Sequence, residues 1–273
     1  MQHYMAIITL TSDYGTKDPY TAIVKGVLYQ ERANLILCDI SHDLPPGDIV
    51  ETSFIVKHSF ASFPKRTVHL ILTAENSPSQ RWYVMQMDGH FFVASDNGIL
   101  TMIAADRNPQ NLIFHQIKIG EQRSTQFPGR DFLARAAAHL AGGGAASLLG
   151  PQTSLDELVR GSSLRGKVDL QRKLVQGHII FIDNYGNLIT NIDSKDLQEA
   201  QKSKAIEINL PRNRSLKRIA TAYHDIAQDG VLALINSLGL LEIAFRDPQS
   251  KEINGANSLL GLGMLDTITI SYT

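Results

Sequence analysis

The chain of 273 residues carries 26 basic and 27 acidic side chains, for a formal charge of −1, and 43% of it is apolar. That content can bury one large or two modest cores, and the even charge excludes a general polyanion binder, so neither nucleic acid nor a membrane is expected as a partner. Cys38 is the single cysteine, which excludes an internal disulfide and any multi-cysteine zinc site. Together with an opening stretch, MQHYMAIITL, that lacks a secretory pattern, it points to the cytoplasm.

In chain order, MAIITL (5–10) and LILCDI (35–40) read as buried strands, and PYTAIVKGVLYQ between them reads as a helix with Tyr20, Ile23, Val24, Val27 and Leu28 on one stripe. After PPGD, Asp48 is placed to cap a second helix and Glu51 to complete a capping box. TVHLILT (67–73) supplies another buried strand. RWYVMQM and HFFVAS flank Asp88-Gly89, a tight-hairpin pair, so antiparallel strands adjoin the parallel ones. GRDFLARAAAHLAGGG reads as a helix with a glycine stop. After about residue 165 the pattern changes to short apolar runs with little helix between them: HIIFID, NLITNI, AIEINL, IATAYH, VLALIN, LLEIAF and DTITISYT. The expected fold is therefore α/β, an amino-terminal mostly parallel sheet with flanking helices over 1–165, followed by a smaller β-barrel or sandwich domain over 174–273.

In an open α/β sheet, ligands gather beyond the carboxyl ends of the parallel strands, and Asp13 stands straight after the first. Asp18 reads as the N-cap ahead of Pro19. Asp13 lies too early to cap; it either satisfies turn amides or accepts both hydroxyls of a ribose. No GxGxxG follows the first strand, and GxxxxGK[ST], HExxH and GxSxG do not occur. His139 reads as a packed helical residue. In the β domain, IDNYGNLITN (182–191) and INSLGLLEIA (235–244) are ordinary hairpin signals taken alone. They also offer Asn187 as an amide for an adenine edge, and Ser237 and Glu242 for the ammonium and carboxylate of an amino acid.

Six stretches, TLTSDYGTKDPYTAIVKGV, DISHDLPPGDI, FVASDNGIL, FPGRDFLARAAAHLA, FIDNYGNLITNI and ALINSLGLLEIA, occur in one order over nearly the whole chain. In them the chain resembles the S-adenosylmethionine hydroxide adenosyltransferase family, related to the fluorinating and chlorinating enzymes that act on the same substrate. The resemblance implies attack of water or hydroxide at the ribose C5′ of S-adenosylmethionine to give adenosine and methionine. It further implies a homotrimer whose sites lie between one subunit's larger domain and its neighbour's smaller one. Asp13 would hold the ribose hydroxyls, Asn187 adenine, and Ser237 and Glu242 the methionine end, with Asp18 a helix cap or part of the methionine pocket. No cofactor is expected beyond S-adenosylmethionine itself, as substrate or ligand.

The chain departs from the family at the water-activating set. Where members carry an Asp opening a DPGVGT-like loop and an Arg seven residues later, this chain reads AENSPSQR, so Arg81 matches while Ala74 replaces the acid. Where they carry His before GRD, it has Pro128. Asn76, Ser77 and Pro78 replace the glycine-rich loop. Glu75, one residue past the lost acid, is the candidate substitute, although neighbours on an extended segment face opposite sides. Gly129 matches the hydrolases at the place where the fluorinating enzyme has a serine. Arg81 and Glu75 are thus the candidate catalytic residues, and either slowed hydrolysis or binding of S-adenosylmethionine or adenosine without turnover is expected.

Overall fold

The computed structural model describes residues 6–76, 79–118, 126–162, 165–225, 230–245 and 255–273. Ser77 and Pro78, and Met5 of the first predicted strand, lie outside the described residues. The chain divides into two units, 1–163 and 164–273.

The first unit runs β1 (Ala6–Ser12), α1 (Tyr20–Glu31), β2 (Leu35–Ser41), α2 (Ile49–Ser59), β3 (Val68–Leu72), β4 (Trp82–Met87), β5 (His90–Ser95), α3 (Ile99–Ile103), β6 (Ile113–Gln116), α4 (Ala134–Ala141) and β7 (Gln152–Thr153). Its strands form one sheet in the order β2-β1-β3-β5-β4-β6-β7. The first four of these pair in parallel, and β4, β6 and β7 continue antiparallel. Both faces are covered, as a parallel sheet requires. Ile8, Leu10, Leu70 and Val93 pack under Val24 and Leu28 of α1 and the alanines of α4. Ile71, Tyr83, Met85 and Phe92 pack on the other face with Val56 of α2 and Ile99 and Leu100 of α3.

Local chemistry accounts for the joints. Asp48 caps α2, its Oδ1 accepting from the amides of Val50 and Glu51 at 2.9 Å each; the return bond from the Glu51 side chain does not form among the described residues. Asp88 (φ 51°) and Gly89 (φ 80°) make the left-handed corner that joins β4 to β5, with Met87 opposite His90. The helix after residue 128 opens with a π-turn, Gly129–Leu133, before α4.

Three local expectations are corrected. Asp18 does not cap α1: the N-cap is Pro19, whose carbonyl takes the first helical bond from Ile23 N–H at 2.9 Å, and Asp18 is exposed one residue too early to reach the free amides. On α1 only Val24 and Leu28 of the expected stripe are buried, while Tyr20 and Ile23 are exposed. LILCDI forms the edge strand β2, with Leu35 alone buried and Ile36 exposed, because it has a neighbour on one side only.

The second unit runs β8 (Lys167–Asp169), β9 (Leu174–Ile182), β10 (Leu188–Asp193), α5 (Gln198–Lys202), β11 (Ile206–Leu210), β12 (Arg214–Leu216), β13 (Ile219–Ala220), β14 (Val231–Ile235), β15 (Leu240–Phe245), α6 (Ala256–Leu260) and β16 (Thr267–Tyr272). These strands form a mostly antiparallel sheet in the order β12-β11-β16-β9-β10-β15-β14-β13, with β8 beside β9, that curls into a nearly closed barrel. Val175, Ile179, Leu188, Ile208, Leu241, Ile243 and Ile268 fill its inside. IATAYH is a strand only over Ile219–Ala220, because Asp225 Oδ2 accepts from Thr221 N–H, Thr221 Oγ1 and Ala222 N–H and folds residues 221–225 into a turn. No helix among the described residues is long and apolar enough to cross a membrane.

Replacing Asp48 by Ala removes the α2 cap and is expected to lower stability by about 1 kcal/mol, read from urea unfolding; no loss would mean that the amides of Val50 and Glu51 find water equally well.

Candidate active site

The carboxyl ends of β1, β3 and β5 open on a cavity of about 550 Å³, lined by Asp13, Tyr14, Ala74, Glu75, Asn97 and Val159 among others. This size suits a small organic ligand. Asp13 Oδ2 accepts from Gly47 N–H at 2.8 Å and from Ala74 N–H at 3.3 Å. Its turn-amide role is therefore met in loops other than its own, and Oδ1 carries no hydrogen bond among the described residues. Behind it, Ser12 Oγ lies 2.7 Å from His42 Nδ1, His42 Nε2 lies 3.1 Å from Asp39 Oδ1, and Lys25 Nζ holds Asp39 at 2.6 Å. Gly15 N–H donates to the His42 carbonyl at 2.7 Å, so the turn after β1 is fastened to the end of β2.

Glu75 turns into the same cavity. Ala74 has a positive φ of 49°, so the segment after β3 is not extended and the alternation that would send Glu75 away from the cavity does not apply. Asn97 fixes this conformation by donating from Nδ2 to the carbonyls of Thr73 at 2.9 Å and Ala74 at 3.2 Å. The Glu75 side chain is 8% exposed, and its Oε2 accepts from Gly129 N–H at the head of the π-turn. Burial pushes its carboxyl up to about 8; the Gly129 amide pulls the other way and the nearby Asp13 adds to the rise. A Cβ on Gly129 would stand 2.5 Å from Glu75 Oε2 and 2.5 Å from the Tyr14 hydroxyl, so a larger residue there would displace one or both of these side-chain ends.

Arg81 does not line the cavity. Its Nη2 lies 2.6 Å from Oδ2 of the buried Asp96 and donates to the Glu157 carbonyl at 3.1 Å. Asp96 Oδ1 in turn accepts from Val159 N–H at 2.8 Å, which ties the 157–159 segment to the end of β5. Asp18 is exposed and does not line the cavity. Pro128 is buried ahead of the π-turn.

The barrel unit holds the other candidates in two turns. Asn187, 7% exposed, donates from its backbone N–H and from Nδ2 to the two oxygens of Asp183, at 2.9 and 3.0 Å. Glu242, 2% exposed on β15, accepts from the Tyr223 hydroxyl at 2.8 Å and from Asn236 Nδ2 at 3.1 Å. Its carboxyl is raised by burial in spite of those two bonds, and Asp183 adds to the rise. Ser237 is exposed at the tip of the Asn236–Gly239 turn, whose shape Asn236 Oδ1 sets by accepting from the amides of Leu238 and Leu240. Two residues that the sequence did not single out belong to these clusters, Tyr14 and Asp183. Each carried a signal, as the polar member of a turn already marked: SDYG for one, DNYGN for the other.

Comparison with known proteins places the chain. Residues 8–150 match the SAM hydroxide adenosyltransferase N-terminal domain and residues 177–269 its C-terminal domain. The chain is similar to the (R)-S-adenosyl-L-methionine hydrolase of Methanocaldococcus jannaschii, with 30% identity over 97% of this chain and 96% of that one. It is also similar to a fluorinase of an Actinoplanes species, with 24% identity over 87% and 90%. Among solved structures, an uncharacterized conserved protein from Thermotoga maritima superposes with a TM-score of 0.81 at 25% identity, covering 97% of this chain and 99% of that one.

The raised Glu75 carboxyl sets a pH dependence of stability. The folded state keeps a proton that the unfolded chain loses near 4.5, so stability falls as pH rises from that value through about 8. Glu75→Gln removes this slope: the variant is expected to match the parent below pH 4.5 and to exceed it above pH 8. Urea unfolding at pH 5 and pH 9 checks this, and equal losses in both proteins over that interval would refute it.

Proposed function

Because the chain belongs to the S-adenosylmethionine hydroxide adenosyltransferase family, we propose that it hydrolyses S-adenosylmethionine, water attacking the ribose C5′ and methionine leaving, to give adenosine. The observation that carries this reading is the cavity at the strand ends in which Asp13 and Glu75 meet.

The sulfonium is a good leaving group and needs no acid, so the protein has to hold the ribose, keep out bulk water and take one proton from the nucleophile. Asp13 Oδ1 is assigned to the ribose hydroxyls. Glu75 is assigned as the base that takes the water's proton, and a carboxyl near 8 is better matched to that task at neutral pH than an ordinary one. Arrival of the substrate's cation favours the ionised carboxyl further. Arg81, held by Asp96 and Glu157, is assigned to positioning of the cavity wall. With Ala74 and Pro128 in place of an acid and a histidine, turnover is expected to be slower than with the full set.

Asn187 is assigned to adenine, and the Ser237 turn with Glu242 behind it to the methionine end. On this reading Asp183 keeps the Asn187 amide oriented, and Glu242 orders Tyr223 and Asn236. The family resemblance supports a homotrimer in which the barrel unit of one subunit completes the cavity of its neighbour. A cytoplasmic location accords with the single cysteine.

Incubation with S-adenosylmethionine should release adenosine and methionine in equal amounts by chromatography. The kcat/KM should rise about tenfold per pH unit below 8 and level off above it, as the base ionises. Asp13→Asn should weaken adenosine binding by about 10- to 100-fold in calorimetry. Ligand bound tightly and left intact would instead mark a binding protein. Light scattering should return three times the chain mass; a monomer would sink the shared-site arrangement.

A further inference from the structure

Tyr14 follows Asp13 into the cavity, and its ring is held by aromatic neighbours: the centroid lies 5.7 Å from Phe127 in an edge-on contact and 6.1 Å from Tyr20 in a tilted one. Tyr14 lines the cavity, and its hydroxyl stands 2.5 Å from where a Cβ of Gly129 would be. There the oxygen is buried and has no hydrogen-bond partner among the described residues. A buried phenol both donates and accepts, and one without a protein partner is satisfied by water or ligand.

The partner can be located. Tyr14 Oη and Glu75 Oε2 each lie 2.5 Å from the point where a Gly129 Cβ would stand, and Glu75 Oε1 lies 2.9 Å from it, so the tyrosine and glutamate oxygens are within about 5 Å of one another. They form no direct bond. Oxygens that form no direct bond and lie at most about 5 Å apart can share one bridging water, at about 2.8 Å to each side. Oε2 already accepts from the Gly129 amide. Glu75 follows Ala74 and Gly129 follows Pro128, so the pair assembles beside the two positions where the family's acid and histidine are replaced.

We propose that Tyr14 and Glu75 together hold the attacking water, Tyr14 donating its O–H to the water oxygen while the water donates a proton to the Glu75 carboxylate. This deepens the hydrolase reading and rests on it for the substrate. As the O–C5′ bond forms, the C5′–S bond breaks and its electron pair passes to sulfur, which becomes the neutral thioether of methionine. One water proton goes to Glu75, which later yields it to solvent; the other stays on the 5′-hydroxyl of adenosine. Asp13 is the charged group that acts on Glu75 at this point, and the Gly129 amide is its other polar neighbour.

The test is Tyr14→Phe, which keeps the ring and its contacts with Tyr20 and Phe127; an unchanged thermal melt checks the fold. The expected result is a kcat lowered by about 10- to 100-fold with KM kept within about twofold. Infrared difference spectra of the Glu75 carboxyl, identified by its loss in Glu75→Gln, should show a titration midpoint raised by roughly half to one unit, because a group that favours the carboxylate is gone. Parent protein that turns over while Tyr14→Phe matches it, or a variant in which only KM rises, overturns the role of Tyr14 and leaves the hydrolase reading standing. An unmoved Glu75 midpoint overturns the shared water. Parent protein that releases no adenosine overturns the hydrolase reading itself, and the role of the water with it.

Discussion

A single carboxylate oxygen, Oδ2 of Asp13, holds together the loops that follow three neighbouring strands. Asp13 itself follows β1, Gly47 lies in the loop after β2, and Ala74 lies in the loop after β3. Hydrogen bonds from amides to a carboxylate are among the stronger kinds, and here two of them replace the water that these loop amides would otherwise need. The Ser12–His42–Asp39 chain fastens the same turn from behind. The cavity is therefore shaped by one of its own lining residues, and the position of Glu75 depends on a loop in which that residue holds the preceding amide, Ala74 N–H.

Burial decides the character of Glu75. One amide bond and a near neighbour of like charge act on it in opposite senses, but removal of the carboxyl from water outweighs both. At Gly129 the chain comes close to Glu75 with no side chain between them. A π-turn at that point sets the amide at the head of the helix toward Glu75 while α4 continues behind it. Such turns interrupt helical bonding and are often found where a helix serves a site.

Most of the architecture was legible because the apolar runs are short, clean and separated by strong turn residues. Asp88-Gly89 and the Asp48 cap follow from local chemistry that tertiary contacts do not override. Exposure was less legible: periodicity marks Tyr20 and Ile23 as it marks Val24, and an edge strand reads like an inner one, because neither signal says how many neighbours an element has. The placement of Arg81 was not legible either, since its partner Asp96 is buried just past the end of β5, a separate element. Glu75 illustrates the sharper limit. Its direction follows from one backbone angle at Ala74, and alanine carries no sign that it will adopt a positive φ.

That angle has a further consequence. Outside glycine, positive φ favours aspartate and asparagine, whose side chains compensate locally, and alanine has no such means. The loop after β3 thus has, at Ala74, a backbone shape better suited to an aspartate or asparagine than to alanine. Its neighbours hold that shape, Asp13 from one side and Asn97 from the other. An aspartate introduced at position 74 would therefore enter a backbone conformation that suits it better than it suits alanine.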